Sequence, residues 1–361
     1  MTRMSHASRG AGLQAGICAQ SAPFHLGREC SRRTVKPVSQ QLEAPPKKQV
    51  ATRDAYGEAL LQLGASHTDV VVLDADLSGS TRTKAFSKAY PERFFNMGVA
   101  EANMTGTAAG LAASGKTVFI SSFAMFAAGK AWEQVRQTVC VPRMNVKICA
   151  THAGLTVGED GKSHQMLEDL ALMRVLPNMT VIVPADGTEA CRVIETAADF
   201  DGPMYIRLSR AKTPLVFGND YKYEIGKGNV VRNGKDLAIV ACGVEVAAAM
   251  GAAEILAKEG VDCRVINMAT IKPIDKELIE KAARECGAIL TAEEHQVTGG
   301  LGGAVAEFLA SCCPVPIEIV GVADSFGESG TADQLLEKYG LDAEGLATRA
   351  RSLMSRKNNN A

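Results

Sequence analysis

Two series of alternating strand and helix patterns, separated by a polar segment, constrain the fold of this chain more than any other feature. Continuous apolar runs such as Val70–Leu73 have the length of buried strands, and segments such as Gly98–Ala113 have the length and small-residue content of packed helices. Strands that alternate with helices pair in parallel, and the helices then cover both faces of the sheet. The sequence therefore predicts an α/β fold with two doubly wound sheets.

The predicted elements follow one another in this order. In the first series the predicted strands are 70–73, 117–121, 146–150, 181–184 and 204–208, and the predicted helices are 52–63, 98–113, 123–139, 166–175 and 187–198. In the second series the predicted strands are 237–241, 263–267, 288–292 and 317–322, and the predicted helices are 244–258, 275–286 and a helix from the loop 299–303 to about 309. Two further helices close the chain, and Thr52 or Asp54 is expected to cap the first one.

These patterns divide the 361 residues into two domains with flanking segments. The first domain covers 50–210, a linker rich in polar residues covers 211–228, and the second domain covers 229–355, followed by a tail at 356–361. Residues 1–49 contain eight Lys or Arg and two Glu, a net charge of +6, and show no hydrophobic periodicity. We interpret 1–49 as a disordered extension, while its Arg and Ser content also permits an organellar transit peptide.

Composition excludes several classes of protein. The net charge of −1 gives no reason to expect a nucleic-acid or anionic-membrane partner, and no apolar run has the length of a membrane span. The ten cysteines form no CxxC pair, and several of them lie inside apolar runs, where a thiol acts as a small hydrophobic group. The sequence therefore favours reduced thiols and a cytoplasmic protein.

The segment 151–165 is the first candidate for a functional site. It directly follows a predicted strand and includes His152, Asp160 and His164, and ligands of parallel α/β sheets bind beyond the carboxyl ends of the strands. A long solvated loop without function is one alternative, and a metal site made of two histidines and two acids is another.

A second candidate is Glu101, which follows Gly98-Val99-Ala100 at the start of a predicted helix. By itself an acidic residue in a first turn only complements the helix dipole. Phe123 and Phe126, three positions apart, are by themselves typical of a helix face that packs on the core.

The order of the short motifs is more specific than any one of them. The motifs resemble those of the transketolase family, with its pyrimidine-binding domain at 50–210 and its C-terminal domain at 229–355, and are closest to the separately encoded C-terminal halves of bacterial and archaeal transketolases. They are Thr52-Arg53, Asp74-Ala75-Asp76-Leu77, Gly98-Val99-Ala100-Glu101, Ser122-Phe123, Val157-Gly158-Glu159-Asp160-Gly161, Ser163-His164-Gln165, Leu176-Pro177-Asn178, Pro184-Ala185-Asp186-Gly187 and Leu208-Ser209-Arg210.

The resemblance implies a thiamine-diphosphate site. Glu101 would be catalytic by sharing a proton with the aminopyrimidine ring, which a low-dielectric site favours. Phe123 and Phe126 would pack on that ring, and Asp76 would lie near the cofactor across a subunit boundary. His164 would be catalytic beside the reacting carbonyl, because histidine can donate a proton near neutral pH.

The resemblance also implies a site for sugar-phosphate substrates. His152 and Asp160 would lie near the substrate hydroxyls and phosphate, together with His164. Arg53, Ser80 and Arg210 would bind the phosphate, because guanidinium groups form charge-assisted and often bidentate hydrogen bonds with it.

This chain lacks the motif with which the family binds the diphosphate end of the cofactor. The family binds it through a divalent cation held by a Gly-Asp-Gly motif and an asparagine about 25–30 residues later, and the chain lacks that motif. The resemblance therefore implies that this chain supplies no metal ligand. It implies that an N-terminal partner subunit holds Mg²⁺ or Ca²⁺. Two such heterodimers would associate into an α₂β₂ heterotetramer.

The function implied is transfer of a two-carbon ketol unit between sugar phosphates, as in the pentose phosphate pathway, with activity only in the presence of the partner. Alternatives are a subunit related to 1-deoxyxylulose-5-phosphate synthase, the β subunit of a 2-oxoacid dehydrogenase, or a non-catalytic assembly or regulatory subunit that keeps the fold. The joint presence of Glu101, Asp160 and His164 favours a catalytic subunit.

Overall fold

The computed structural model describes residues 49–359, which form two mainly parallel β-sheets with helices packed on their faces. The interpretation of 1–49 as a disordered segment concerns residues outside the described part of the chain, except for Gln49. The strands are β1 (Gln49–Ala51), β2 (Val70–Asp74), β3 (Phe94–Asn96), β4 (Thr117–Phe123), β5 (Val146–Thr151), β6 (Thr180–Ile182), β7 (Met204–Leu208), β8 (Lys212–Pro214), β9 (Asn229–Arg232), β10 (Leu237–Ala241), β11 (Cys263–Asn267), β12 (Thr270–Lys272), β13 (Ile289–Gln296) and β14 (Ile317–Val322). The α-helices are α1 (Thr52–Ser66), α2 (Ser78–Thr81), α3 (Lys84–Ala89), α4 (Glu101–Ala113), α5 (Trp132–Gln134), α6 (Asp169–Arg174), α7 (Gly187–Asp199), α8 (Glu245–Lys258), α9 (Lys276–Cys286), α10 (Leu301–Cys312), α11 (Ala332–Tyr339) and α12 (Ala343–Asn359).

The first sheet has seven strands in the order β12-β6-β7-β5-β4-β2-β3. Its ladders are parallel apart from β12, which pairs antiparallel with β6. β2 and β4 are buried along their whole length, as expected for strands that helices cover on both faces. α1 and α7 pack on one face of the sheet, where Tyr56 and Leu60 are fully buried.

The second sheet has five strands in the order β14-β13-β10-β11-β9, parallel except for β9 at its edge. β12 comes from the second half of the chain but completes the first sheet, and one apolar core includes Val181 and Ile271 from these two paired strands. The predicted α/β class with two doubly wound sheets is therefore confirmed, and the two halves share a continuous core.

The predicted helix at 123–139 is wrong at its start and in its type. β4 continues through Phe123, which pairs with Thr151 of β5. The following chain forms two π-helical segments, Met125–Lys130 and Val135–Cys140, on either side of α5. Parallel pairing with β5 decides the strand, and π-helical turns often occur at functional sites.

Two other helices begin later than predicted. α4 begins at Glu101 rather than Gly98, because Gly98 has φ of +68° and Ala100 has φ of −142°, both outside the helical range. α6 begins at Asp169 rather than 166, since Met166 O accepts from the N–H of Gly154. The predicted cap of α1 is also wrong: its N-cap is Ala51, and the hydroxyl of Thr52 contacts that of Ser209 at 3.1 Å.

Both ends of the described chain are held by contacts with segments distant in sequence. β1 pairs antiparallel with β8, which lies in the segment predicted as the linker 211–228. α12 runs to Asn359 and so takes up part of the predicted tail 356–361, because Lys357 Nζ donates to Asp236 O and Cys286 O, each at 2.8 Å. Within 49–359 no helix is long and apolar enough to cross a bilayer.

Candidate functional site

The predicted site residues gather at the carboxyl ends of the first sheet's strands. Phe123 ends β4, His152 follows β5, and Glu101 follows β3 as the first residue of α4. Because parallel strands all end at the same edge of a sheet, residues distant in sequence meet here.

Glu101 is a buried carboxylate with a cationic neighbour. Glu101 is 1% exposed, and Lys130 Nζ donates a hydrogen bond to its Oε2 at 2.6 Å. The Lys130 side chain is 54% exposed and lies in the same π-helical segment as Phe126. A buried carboxylate of this kind needs a cation or a hydrogen-bond donor beside it. The sequence analysis missed Lys130, although its place four residues after Phe126 in a predicted helix indicated that both face the same side.

Four aromatic rings form a cluster beside this segment. The rings of Phe123 and His152 stack with centroids 3.8 Å apart, and those of Phe123 and Phe126 lie 6.0 Å apart and nearly parallel. His164 presents its ring edge-on to Phe123 at 6.1 Å and to Phe126 at 5.7 Å. Phe126 and His164 are only partly buried, so the cluster has an accessible side. The alternative of a purely core-facing pair of phenylalanines is therefore wrong for Phe126.

His152 connects the aromatic cluster to an arginine. Arg53 Nη1 lies 2.9 Å from His152 Nε2 and 3.2 Å from Ser80 O. A guanidinium group can only donate, so His152 Nε2 accepts, and Nδ1 carries the proton that faces Thr151 Oγ1 at 2.8 Å. Ser80 therefore meets Arg53 through its carbonyl oxygen.

Positive charge surrounds His152. Burial, and then Arg53, Arg210 and Arg82, lower the pKa of His152 to about 3, so the ring is neutral at physiological pH. Burial also lowers the pKa of Arg53, and Arg82 and Arg210 add to this effect. Arginines that raise one another's electrostatic energy form a site that favours an anion. The sequence analysis missed Arg82, which lies two residues after Ser80.

Each of the outer arginines is already paired with acidic residues. Arg82 Nε donates to Asp54 Oδ1 at 2.6 Å. Arg210 Nη1 lies 3.6 Å from Glu159 and 3.5 Å from Asp160, and also donates to Val157 O. Asp160 is exposed, so in this structure it contacts Arg210 and not the aromatic cluster.

The turn that carries Ser80 and Arg82 is organised by a buried carboxylate. Asp74, at the end of β2, accepts from the N–H of Leu77 at 2.6 Å and from the hydroxyls of Thr81 at 2.6 Å and Thr83 at 2.9 Å. Asp76 in the same turn is exposed and accepts from Asn96 Nδ2 at 2.8 Å. Among the described residues, Asp76 forms no hydrogen bond or ion pair with the other predicted site residues.

Burial bears on one of the alternatives considered for 151–165, the solvated loop. Residues 151–158 are buried, so this segment is not a solvated loop, and its middle forms tight 3₁₀ turns over Leu155–Ser163. Residues 49–359 contain no group of three or more His, Cys, Asp or Glu placed to hold a metal ion.

The glycine-rich loop 299–303 packs closely against β13. Glu293 accepts from the N–H groups of Leu301 at 2.7 Å and Gly302 at 2.8 Å at the start of α10. A Cβ atom at Gly300 would lie 2.0 Å from the Glu293 carboxylate, which leaves room for glycine alone.

Comparison with known proteins gives consistent matches over the described part of the chain. Residues 48–215 match the family model of the transketolase pyrimidine-binding domain, and residues 226–346 match that of the transketolase C-terminal domain. A putative transketolase C-terminal section of Methanocaldococcus jannaschii is 53% identical over 300 residues, which is 82% of this chain and 94% of that protein. A 6-deoxy-6-sulfo-D-fructose transketolase subunit of a Clostridium species is 42% identical over 85% of this chain and 95% of its own length.

A solved structure matches to a similar extent. It is described as a split-gene transketolase in the form of an inactive β₄ tetramer, and it is 52% identical to this chain. The TM-score is 0.80, and the match covers 86% of this chain and 100% of that one.

Proposed function

Since this chain belongs to the transketolase family, we propose that it is the C-terminal subunit of a split, thiamine-diphosphate-dependent transketolase that transfers a two-carbon ketol unit between sugar phosphates. The observation that carries the proposal is the meeting of a buried carboxylate, an accessible aromatic cluster and an arginine cluster at one edge of the sheet. The alternative of a non-catalytic assembly or regulatory subunit would not require these three features together.

The residues present fit the pyrimidine end of the cofactor. Phe126 is an aromatic residue that is only partly buried, and Glu101 is a buried carboxylate that accepts a hydrogen bond from Lys130. A heteroaromatic ring with a basic nitrogen can pack on such a ring and bond such a carboxylate. When bound, the cofactor supplies the nucleophilic carbon that accepts and releases the ketol unit.

The chain's own groups then have distinct roles. Glu101, from its buried position, would hold a proton at the pyrimidine nitrogen. His164 is the proton donor and acceptor for the substrate, since its Nδ1 contacts Ser163 Oγ at 2.9 Å while no hydrogen bond is recorded for its Nε2 among the described residues. His152, with a pKa of about 3 and both ring nitrogens engaged, orients Arg53 and does not donate a proton at neutral pH.

The arginine cluster favours phosphorylated substrates and so favours this proposal over a 2-oxoacid dehydrogenase β subunit. Arg53 and Arg210 would bind the phosphate with Ser80, and Arg82 would add to the positive potential. A phosphate dianion would compete for Arg210 with the carboxylates of Glu159 and Asp160, both of which are exposed.

The partner and location complete the proposal. An N-terminal subunit would carry the Gly-Asp-Gly motif with Mg²⁺ or Ca²⁺, and two heterodimers would form an α₂β₂ assembly in the cytoplasm, serving the pentose phosphate pathway. The support is that the similarity extends over almost the whole length of a C-terminal section and of a split-gene subunit.

The phosphate assignment is tested by Arg210→Ala in the enzyme reconstituted with its partner. We expect KM for phosphorylated sugars to rise about 10- to 100-fold, because a charged hydrogen bond contributes about 1.5–3 kcal/mol, and KM for unphosphorylated analogues to change little. The control is Arg284→Ala, which removes an exposed arginine paired with Glu280 in α9. Equal losses for both classes of substrate would assign Arg210 to structure.

A further inference from the structure

One buried glutamate of the second domain contacts the segment 151–165, which carries predicted site residues. Glu294 lies on β13, and its side chain is 2% exposed. Its Oε1 accepts from the backbone N–H of Thr156, and its Oε2 accepts from the Thr156 hydroxyl at 3.1 Å. Both carboxylate oxygens of Glu294 therefore accept hydrogen bonds from one residue of the first domain.

The backbone of the segment 151–165 passes close to the Glu294 carboxylate. Gly154 has φ of +82°, and a Cβ atom there would lie 2.2 Å from Glu294 Cδ. Glycine is required at this position both by the backbone conformation and by the space. The backbone between His152 and Thr156 therefore packs directly against the side chain of Glu294, which belongs to the second domain.

A buried arginine lies beside Glu294. Arg207 Nη1 lies 3.9 Å from Glu294 Oε2, and Arg207 Nη2 donates to Glu294 O at 2.8 Å. Arg207 also pairs with the buried Asp169 at 2.8 Å. Removing a partner from such a buried network leaves uncompensated groups, which is costly.

The residue after Thr156 contacts Arg210, which is predicted to bind the substrate phosphate. Val157 follows Thr156, and its carbonyl oxygen accepts from Arg210 Nη1. Glu294 therefore fixes Thr156, Thr156 fixes the Val157 carbonyl, and that carbonyl orients the Arg210 guanidinium. No other acidic side chain of the second domain forms a recorded hydrogen bond with residues 151–165 in the described part of the chain.

We propose that Glu294 is a positioning residue through which the second domain sets the phosphate affinity of the site, acting by way of Thr156 and Arg210. The proposal rests on the proposed function only for the identity of the anion. It assigns to the second domain a role in substrate binding although that domain supplies no residue of the arginine cluster.

The first test measures binding of inorganic phosphate to the full-length chain by calorimetry, without partner or cofactor. We expect Glu294→Gln to weaken phosphate binding about tenfold, because an amide NH₂ would then face a Thr156 donor and release the segment. Thr156→Val, which removes the hydroxyl but keeps the backbone N–H and the side-chain volume, should weaken binding less, in the same direction. This milder variant also serves if Glu294→Gln does not fold.

A double-mutant cycle tests the route through Arg210. Arg210→Ala alone should weaken phosphate binding, and adding Glu294→Gln to it should change the affinity less than twofold, because residues that act through one another are not additive. The matched control is Glu307→Gln, which breaks another contact between the two halves, the ion pair with Arg174 at 2.6 Å, without touching the segment. It should leave phosphate affinity unchanged.

A readout of the segment itself separates this inference from the proposed function. Amide hydrogen exchange of the peptide 154–158 should be faster in Glu294→Gln than in the wild type and unchanged in Glu307→Gln. Wild-type phosphate affinity in Glu294→Gln, or an equal loss in the Arg210→Ala background, would overturn the inference, as would a wild-type chain that binds no phosphate. Failure of the proposed function would show instead as absence of ketol transfer by the complex with its partner.

Discussion

Glu101→Gln is expected to slow turnover of the partner-assembled enzyme at least about a hundredfold, the scale of a lost acid–base group. Glutamine keeps the shape of the side chain but cannot share a proton with a pyrimidine nitrogen. The same variant should slow exchange of the cofactor's C2 proton with deuterium oxide to a similar extent, measured by quenched-flow NMR. The circular dichroism spectrum should stay unchanged, because the amide can still contact Lys130.

The matched control for this variant is Glu133→Gln, an exposed glutamate of α5 that contacts only Gln134 among the recorded hydrogen bonds. It should leave both rates within about twofold of the wild type, as expected for an exposed residue away from the site. Proton exchange at the wild-type rate in Glu101→Gln would refute the assignment of Glu101.

The second large effect is the dependence on a partner: the isolated chain is expected to show no measurable ketol transfer. The cofactor must be held at both ends, because its reactive carbon lies between the pyrimidine and the diphosphate. The described part of this chain offers a buried carboxylate and aromatic rings for the pyrimidine, but no cluster of ligands placed for a metal ion.

Titration with an N-terminal subunit that carries Gly-Asp-Gly should restore cofactor binding and turnover together, saturating at equal stoichiometry. Calorimetry of the isolated chain with thiamine diphosphate and Mg²⁺ provides the baseline, which we expect to show weak or no binding. A partner in which the Gly-Asp-Gly aspartate is replaced by alanine should assemble without restoring turnover. Tight Mg²⁺-dependent binding with ketol transfer by the isolated chain would contradict the two-subunit proposal.

The sequence by itself determined the alternating plan of the fold. Apolar runs such as Val70–Leu73 and Met204–Leu208 are long enough for one strand and too short for a helix, so local patterning specified where these strands lie along the chain. Their alternation with helices indicated that they pair in parallel. It also indicated part of the site edge, because His152 directly follows the predicted strand 146–150, and the carboxyl ends of parallel strands coincide. The strand before Glu101, β3, was not predicted.

Only the tertiary structure decided how those residues are joined. Pairing with β5 turned Phe123 from a predicted helix start into a strand end, and packing made the next segments π-helical. Lys130 reaches Glu101 from 29 residues away, and Glu294 reaches Thr156 from 138 residues away. Such contacts depend on distances between elements that no local pattern encodes, since hydrophobic periodicity specifies which face of an element is buried but not which polar group it meets there.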